Sequence, residues 1–212
     1  MPWMPDNMPS LPNGNKSMKM KKKEEVDIKS MEKRILTSTK NLNEILELMS
    51  LVEEEGRNVE RTTETATSLT RIFIKLRKHG KMTIAKGMPS DSPQGQIVTW
   101  LNERYTGFVT SLLKLFGAKK VTLQVESMIA LAYMQLIALT LCLRLVKDET
   151  AHNGGETMKF SNRTYTQLVD ALLQSEGDES LQQEFIDKYL NQYYDLQFFF
   201  LQNAAYIPVI QD

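Results

Sequence analysis

Residues 96–145 constrain this chain more than any other stretch. They read as two back-to-back helices, IVTWLNERYTGFVTSLLKLFG followed by KKVTLQVESMIALAYMQLIALTLCLRLV. The first places Ile97, Trp100, Leu101, Tyr105, Phe108, Val109, Leu112, Leu113 and Phe116 at three- and four-residue intervals, the period of a helix with one buried face. Gly117 stands where a left-handed cap would close it. A connection this short makes the two helices antiparallel neighbours. The second is apolar almost all round between residues 128 and 143, so it is expected to be covered on most sides and to form the core.

Composition narrows the partners. Lys plus Arg and Asp plus Glu balance at 26 each, so no overall charge points to nucleic acid or membrane. The distribution is uneven. From Asp170 onward there are eight acidic residues and one basic residue, Lys188, whereas the first ninety residues hold seventeen basic and twelve acidic. Such polarity suits a protein lying between partners, although a solvated face accounts for much of it. The single cysteine, Cys142, excludes an internal disulfide and fits a reducing compartment. Asn162-Arg163-Thr164 matches a glycosylation pattern but follows no secretory signal.

Residues 1–25 read as a disordered basic leader. MPWMPDNMPSLPNGNKS carries four of the seven prolines and no periodicity. The cluster Lys19, Lys21, Lys22 and Lys23 behind it is a candidate import signal or phosphate contact, or equally a solvated run entering a helix. A helix is then expected over residues 26–54, with Ile28, Met31, Ile35, Leu42, Ile45, Leu46, Met49 and Val52 inward. Another is expected over 59–79, with Leu69, Ile72, Phe73 and Leu76 inward. Arg71, Lys75, Arg77 and Lys78 near its end form a candidate basic patch for RNA phosphates or an acidic partner. The competing and heavier reading is that these cations complement the helix dipole.

Two polar stretches, about 81–95 and 148–159, read as mobile loops. Ser161 or Asn162 can cap a helix to Leu173, Ser180 the next, and Asp195 a last one to about Tyr206. Alternating strand patterns with hairpin turns do not occur. The expected fold is therefore all-α: antiparallel helical hairpins stacked as a HEAT/armadillo-like solenoid over residues 26–206.

The apolar helix, taken as residues 128–143 and interrupted by Gln135, falls short of the roughly twenty apolar residues of a membrane span. A buried solenoid helix is the better reading, and no membrane is expected. Catalytic chemistry finds little support. His79 and His152 stand at helix ends or in loops, with no Cys or paired carboxylate at ligand spacing. Cys142 has no base near it in sequence, and no phosphate-cradling glycine motif occurs. The expectation is a non-enzyme with no catalytic residue, metal, cofactor or small-molecule substrate.

The central pair and the residues behind it resemble the nucleolar complex protein 4 family. Trp100, Arg104 and Tyr105 stand at that family's W-x3-RY helix, and Gln124, Val125, Ala130 and Leu131 at the "VQ-x-x-AL" start of the next. FSNRTYTQLVDALL, residues 160–173, is similar to its "FP-x-x-x-F-x-x-LV-x-x-LL" helix, with Ser161 in place of the usual proline. EFIDKYLNQYYDLQFFFL, residues 184–201, is similar to "EF-x-x-KY-x-x-Y-x-D-x-x-FF". Residues 138–150 look longer than the family's helix end and read as an insertion or an alternative gene model. These are packing motifs.

The resemblance implies a non-catalytic assembly factor of the small ribosomal subunit, acting in rRNA processing. It would work in the nucleus and nucleolus, beside a nucleolar partner protein in the small-subunit processome. Contact with precursor rRNA, direct or indirect, stays open. The family's C-terminal CCAAT-binding-factor-type domain has no counterpart in this chain, so the expectation is a fragment or short isoform.

One inference rests on the residues alone. A helix turns about 100° per residue, so Phe198, Phe199 and Phe200 cannot all point inward. Together with Tyr193 and Tyr194 they are candidate partner-facing aromatics, and Phe199→Ser or Phe200→Ser is expected to cost partner binding and spare folding. A generic α-solenoid adaptor unrelated to ribosomes fits the composition equally well; a membrane-associated helical protein fits it less well.

Overall fold

The computed structural model describes residues 27–53, 59–85, 87–117, 125–152, 159–175 and 179–206, with side chains in the fifth helix from Met128 onward. Among the described residues there are eight α-helices and no strand. They are α1 (Ile28–Thr37), α2 (Glu44–Glu53), α3 (Val59–Lys78), α4 (Pro93–Lys114), α5 (Val125–His152), α6 (Asn162–Leu173), α7 (Glu179–Phe185) and α8 (Tyr194–Ala204). A π-helical turn, Ile186–Leu190, extends α7.

The helix expected over residues 26–54 is two. Ser38 adopts an extended conformation between α1 and α2. Its side chain accepts from the amide of Lys40, and the Asn41 amide group donates to the Arg34 carbonyl. Backbone groups freed by the break thus find side-chain partners, which is how Ser and Asn compete with helix interiors. Arg34 reaches across to Glu44 with two parallel bonds of 3.0 and 2.8 Å, holding the second helix against the first.

Hairpins then repeat. Met49 lies against Gly107 and Ser111 donates to Glu53 at 3.1 Å, so α2 and α4 run side by side in the same direction. Arg77 pairs with Asp148 at one end, while Thr62 and Ala66 meet Met134 and Ala138 at the other, so α3 and α5 are also parallel. Tyr189 and Thr140 bring the end of α7 beside α5. The hairpins α2–α3, α4–α5 and α6–α7 therefore stack as a solenoid, first helices on one layer and second helices on the other. Lys29–Glu64 and Arg71–Glu32 pairs lay α1 along α3, in the place of a second helix from a preceding hairpin. At the opposite end α8 crosses the start of α6.

The left-handed cap occurs at a different glycine from the one expected. Gly80, at φ 67°, ends α3: its own amide donates to the Arg77 carbonyl and that of Lys81 to Leu76, the paired bonds of a Schellman closure. Gly117 instead finishes a 3₁₀ turn, Leu115–Gly117. Both ends of the stretch 81–95 make contacts with α4. Met82 is buried, its carbonyl accepts from Asn102, and Ser92 caps α4 by accepting from the Gly95 amide. A Cβ on Gly95 would sit 2.6 Å from the carbonyl oxygens of Pro89 and Ser90, so this turn closes on the helix only with glycine there.

The long helix α5 differs most from its sequence reading. It continues through the residues expected to begin a loop at 148 and through the supposed insertion, ending at His152. Leu139, Leu141, Cys142, Leu145 and Val146 in that extension are core. At this length Met128–His152 is long and apolar enough to cross a membrane by composition, contrary to the shorter span read from sequence; half of its most apolar eighteen residues are buried. Gln135 is buried rather than lipid-facing, and donates to the Leu115 carbonyl at the end of the α4 hairpin.

Candidate interaction surface

Three of the four cations of the expected basic patch are paired within the chain. Arg71 donates to both oxygens of Glu32, the closest at 2.7 Å, and Lys75 to the same carboxylate at 3.4 Å. Burial works against ionisation of Glu32, but these two cations outweigh it and hold the carboxyl below its ordinary value. Arg77 is turned further in. Its guanidinium lies 4.6 Å from the centre of the Tyr105 ring and 2.5 Å from Asp148, with both charged side chains nearly buried. Of the four, Lys75 and Lys78 stay exposed, Lys75 while paired with Glu32. Cations spaced for a surface are thus consumed as joints between α1 and α3, and between α3 and α5.

Around Arg77 the joint widens into a polar network over three hairpins. Glu149 accepts from the hydroxyls of Tyr105, Ser161 and Thr164, and the Ser161 amide donates to Thr150 Oγ1 at 3.0 Å. Burial, then the charge of Glu149, raises the Tyr105 hydroxyl far above its ordinary value, so it remains a donor. Ser161 occupies the capping position of α6, but its hydroxyl serves Glu149 and makes no cap bond. Nothing in the sequence spacing signals this network, because its bonded partners lie 11 to 71 residues apart.

The aromatic helix divides into two faces. Phe199 stacks on Phe160, ring centres 4.0 Å apart and 7° from parallel, and Phe200 packs towards Phe185 at 6.0 Å. Both are half-buried and pack within the chain. Tyr165, itself buried, donates to the Leu196 carbonyl, and Asn162 and Asn203 bond reciprocally at 3.0 and 2.8 Å. On the other face Tyr194, Phe198 and Leu201 are 90%, 63% and 64% exposed. Their spacing of four and three residues aligns them as one apolar stripe. Tyr193 before the helix and Tyr206 after it are exposed as well. Asp195 lies within the first turn, and the helix begins from Tyr193.

A second uncovered apolar face was not foreseen. Met128, Ile129, Tyr133 and Leu136 at the start of α5 are exposed. An all-round apolar sequence gives no phase from which to tell a covered from an uncovered side. Cys142, by contrast, is buried; burial first and Glu149 second push its thiol up to about 12, leaving it unionised at neutral pH. Among the described residues no group of three or more His, Cys, Asp or Glu could hold a metal ion. Lys19, Lys21, Lys22 and Lys23 lie outside the described residues.

The described helices form an α-helical repeat that pairs Arg71 and Arg77 within the chain and leaves apolar side chains exposed on α5 and α8. Residues 17–208 match the family model described as nucleolar complex protein 4-like, TPR repeats, and the chain belongs to that family. It is 28% identical over 178 residues to an uncharacterized protein of Schizosaccharomyces pombe, covering 84% of this chain and 34% of the relative. It is 27% identical over 200 residues to nucleolar complex protein 4 of Saccharomyces cerevisiae, covering 82% of this chain and 34% of that protein. The chain thus spans about a third of the length of these relatives. No solved structure matches it.

Proposed function

We propose that this chain is a non-catalytic scaffold of small-ribosomal-subunit biogenesis, acting in the nucleolus within the small-subunit processome and docking an assembly-factor protein through the outer stripe of α8. Family membership supports the nucleolar setting. The observation that carries the docking role is the aligned exposure of Tyr194, Phe198 and Leu201 on a helix whose opposite face is packed. Covering a large apolar side chain is worth about 1.5–3 kcal/mol each, so three on one stripe supply a usable anchor. The pairing of Arg71 and Lys75 with Glu32, and of Arg77 with Asp148, favours protein over RNA as the direct partner of this domain.

The test is affinity purification of the tagged chain from nuclear extract, with probes for small-subunit precursor rRNA and processome proteins. Both should co-purify, and the rRNA signal should fall on ribonuclease treatment while the protein partner persists. Recovery of a soluble, helical chain with neither would refute the reading and leave the generic adaptor.

A further inference from the structure

A groove of about 420 Å³ runs between the second half of α5 and the turn joining α7 to α8, separate from the outer stripe of α8. Leu143, Val146, Phe160 and Leu196 form its apolar floor. Its wall is shaped by the π-helical turn, in which the Asn191 amide donates to the Ile186 carbonyl five residues back. Such turns are rare and re-aim the side chains around them. Here Tyr189 lines the wall, with its hydroxyl 3.2 Å from Thr140 Oγ1, and the half-exposed Tyr193 sits at the mouth.

The rims are charged, and unequally. Arg144 and Lys147, three residues apart on α5, line one side and are exposed. Neither has an ion-pair partner among the described residues, unlike Arg71 and Arg77, which are paired internally. Asp195 stands on the other side, one of its oxygens accepting from the Leu196 amide. An apolar trough with two free cations along one lip and a single acceptor along the other selects a ligand of matching asymmetry.

We infer that this groove binds a short peptide segment of a partner protein that carries an apolar anchor flanked by acidic residues. The anchor fills the floor between Val146 and Phe160. Its acidic neighbours face Arg144 and Lys147, and a backbone or hydroxyl donor faces Asp195. Single-stranded RNA, which the tyrosines and the cations alone would also suit, is disfavoured by Asp195 and by the apolar floor. This goes beyond the proposed nucleolar role and does not depend on it.

The experiment is a peptide-display selection on the full chain, with the R144E/K147E double variant as counter-screen, followed by anisotropy titration of the enriched peptides. Both substituted positions are exposed, so the variant should keep the wild-type helical signal and unfolding midpoint. Enriched peptides should combine an apolar residue with Asp or Glu, weaken about tenfold on R144E/K147E, weaken on Y193A, and weaken with salt. The inference is overturned if no peptide enriches, or if enriched peptides bind the double variant equally. It is also overturned if a labelled single-stranded RNA dodecamer is the ligand lost on R144E/K147E, or if the wild-type chain self-associates and the double variant does not.

Discussion

At the end of α3 charge is turned inward, and on α8 aromatic rings are turned outward. Arg77 lies between the Tyr105 ring and Asp148 with little solvent contact, and that arrangement locks one hairpin to the next. Phe198, four residues from Tyr194 and three from Leu201, lies on the exposed face of the helix. The two regions show that residue type sets what a group costs when left alone, and packing decides where it goes. A buried cation is tolerable because its partner and ring are already in place. An exposed aromatic is tolerable because the other side of its helix is held by Phe160, Phe185 and the Asn162–Asn203 pair.

Breaking the inward charge should have the largest effect. Arg77→Ala leaves Asp148 nearly buried without its guanidinium and removes the cation over Tyr105, for an expected loss of about 3 kcal/mol in urea unfolding. A cost below about 1 kcal/mol would mean that Arg77 behaves as surface charge. Next comes the inner face of α8. Phe199→Ala removes a ring stacked on Phe160 and should cost about 2 kcal/mol, reduced from a full core deletion because Phe199 is half-buried.

A smaller effect, with a pH signature, is expected at Glu32. Its carboxyl is held below the ordinary value of 4.5 by Arg71 and Lys75 against the opposing effect of burial. A depressed folded-state value contributes stability above the unfolded value, and that contribution is lost as pH falls through the lower folded one. Glu32→Gln should therefore cost about 1 kcal/mol at pH 7, and the gap from wild type should shrink as pH drops below 4.5. A gap that is constant with pH would assign the effect to packing alone. Smallest in stability is Phe198→Ser, expected within about 0.5 kcal/mol of wild type, which contrasts with Phe199→Ala one residue along.

Much of the architecture was legible in the sequence, because long apolar periods and short connections dictate helical hairpins. Ile72, Phe73, Leu101, Phe108, Tyr165 and Leu168 are buried as their spacing required. The break at Ser38 was not legible: apolar residues on both sides keep a helical phase, and only the local bonds of Ser38 and Asn41 decide against continuity. The length of α5 was misjudged because Lys147, Asp148 and Glu149 look like a loop. Two of them, Asp148 and Glu149, are instead tied down by residues from α3, α4 and α6. At α8 the reasoning from helical rotation established that three successive phenylalanines must diverge, but not which one faces out. That depends on Phe160, whose place beside Phe199 is set by tertiary contact.

Whether the outer stripe of α8 is covered by a protein in the cell is best measured by photo-crosslinking. A benzophenone-bearing amino acid would be placed at Phe198 and, as a control, at the exposed Lys114 of α4. A discrete protein adduct at position 198, absent at position 114 and lost when Tyr194→Ser and Leu201→Ser flank the probe, is the predicted result. No adduct at position 198, or the same diffuse pattern at both positions, would contradict a docking role for that stripe.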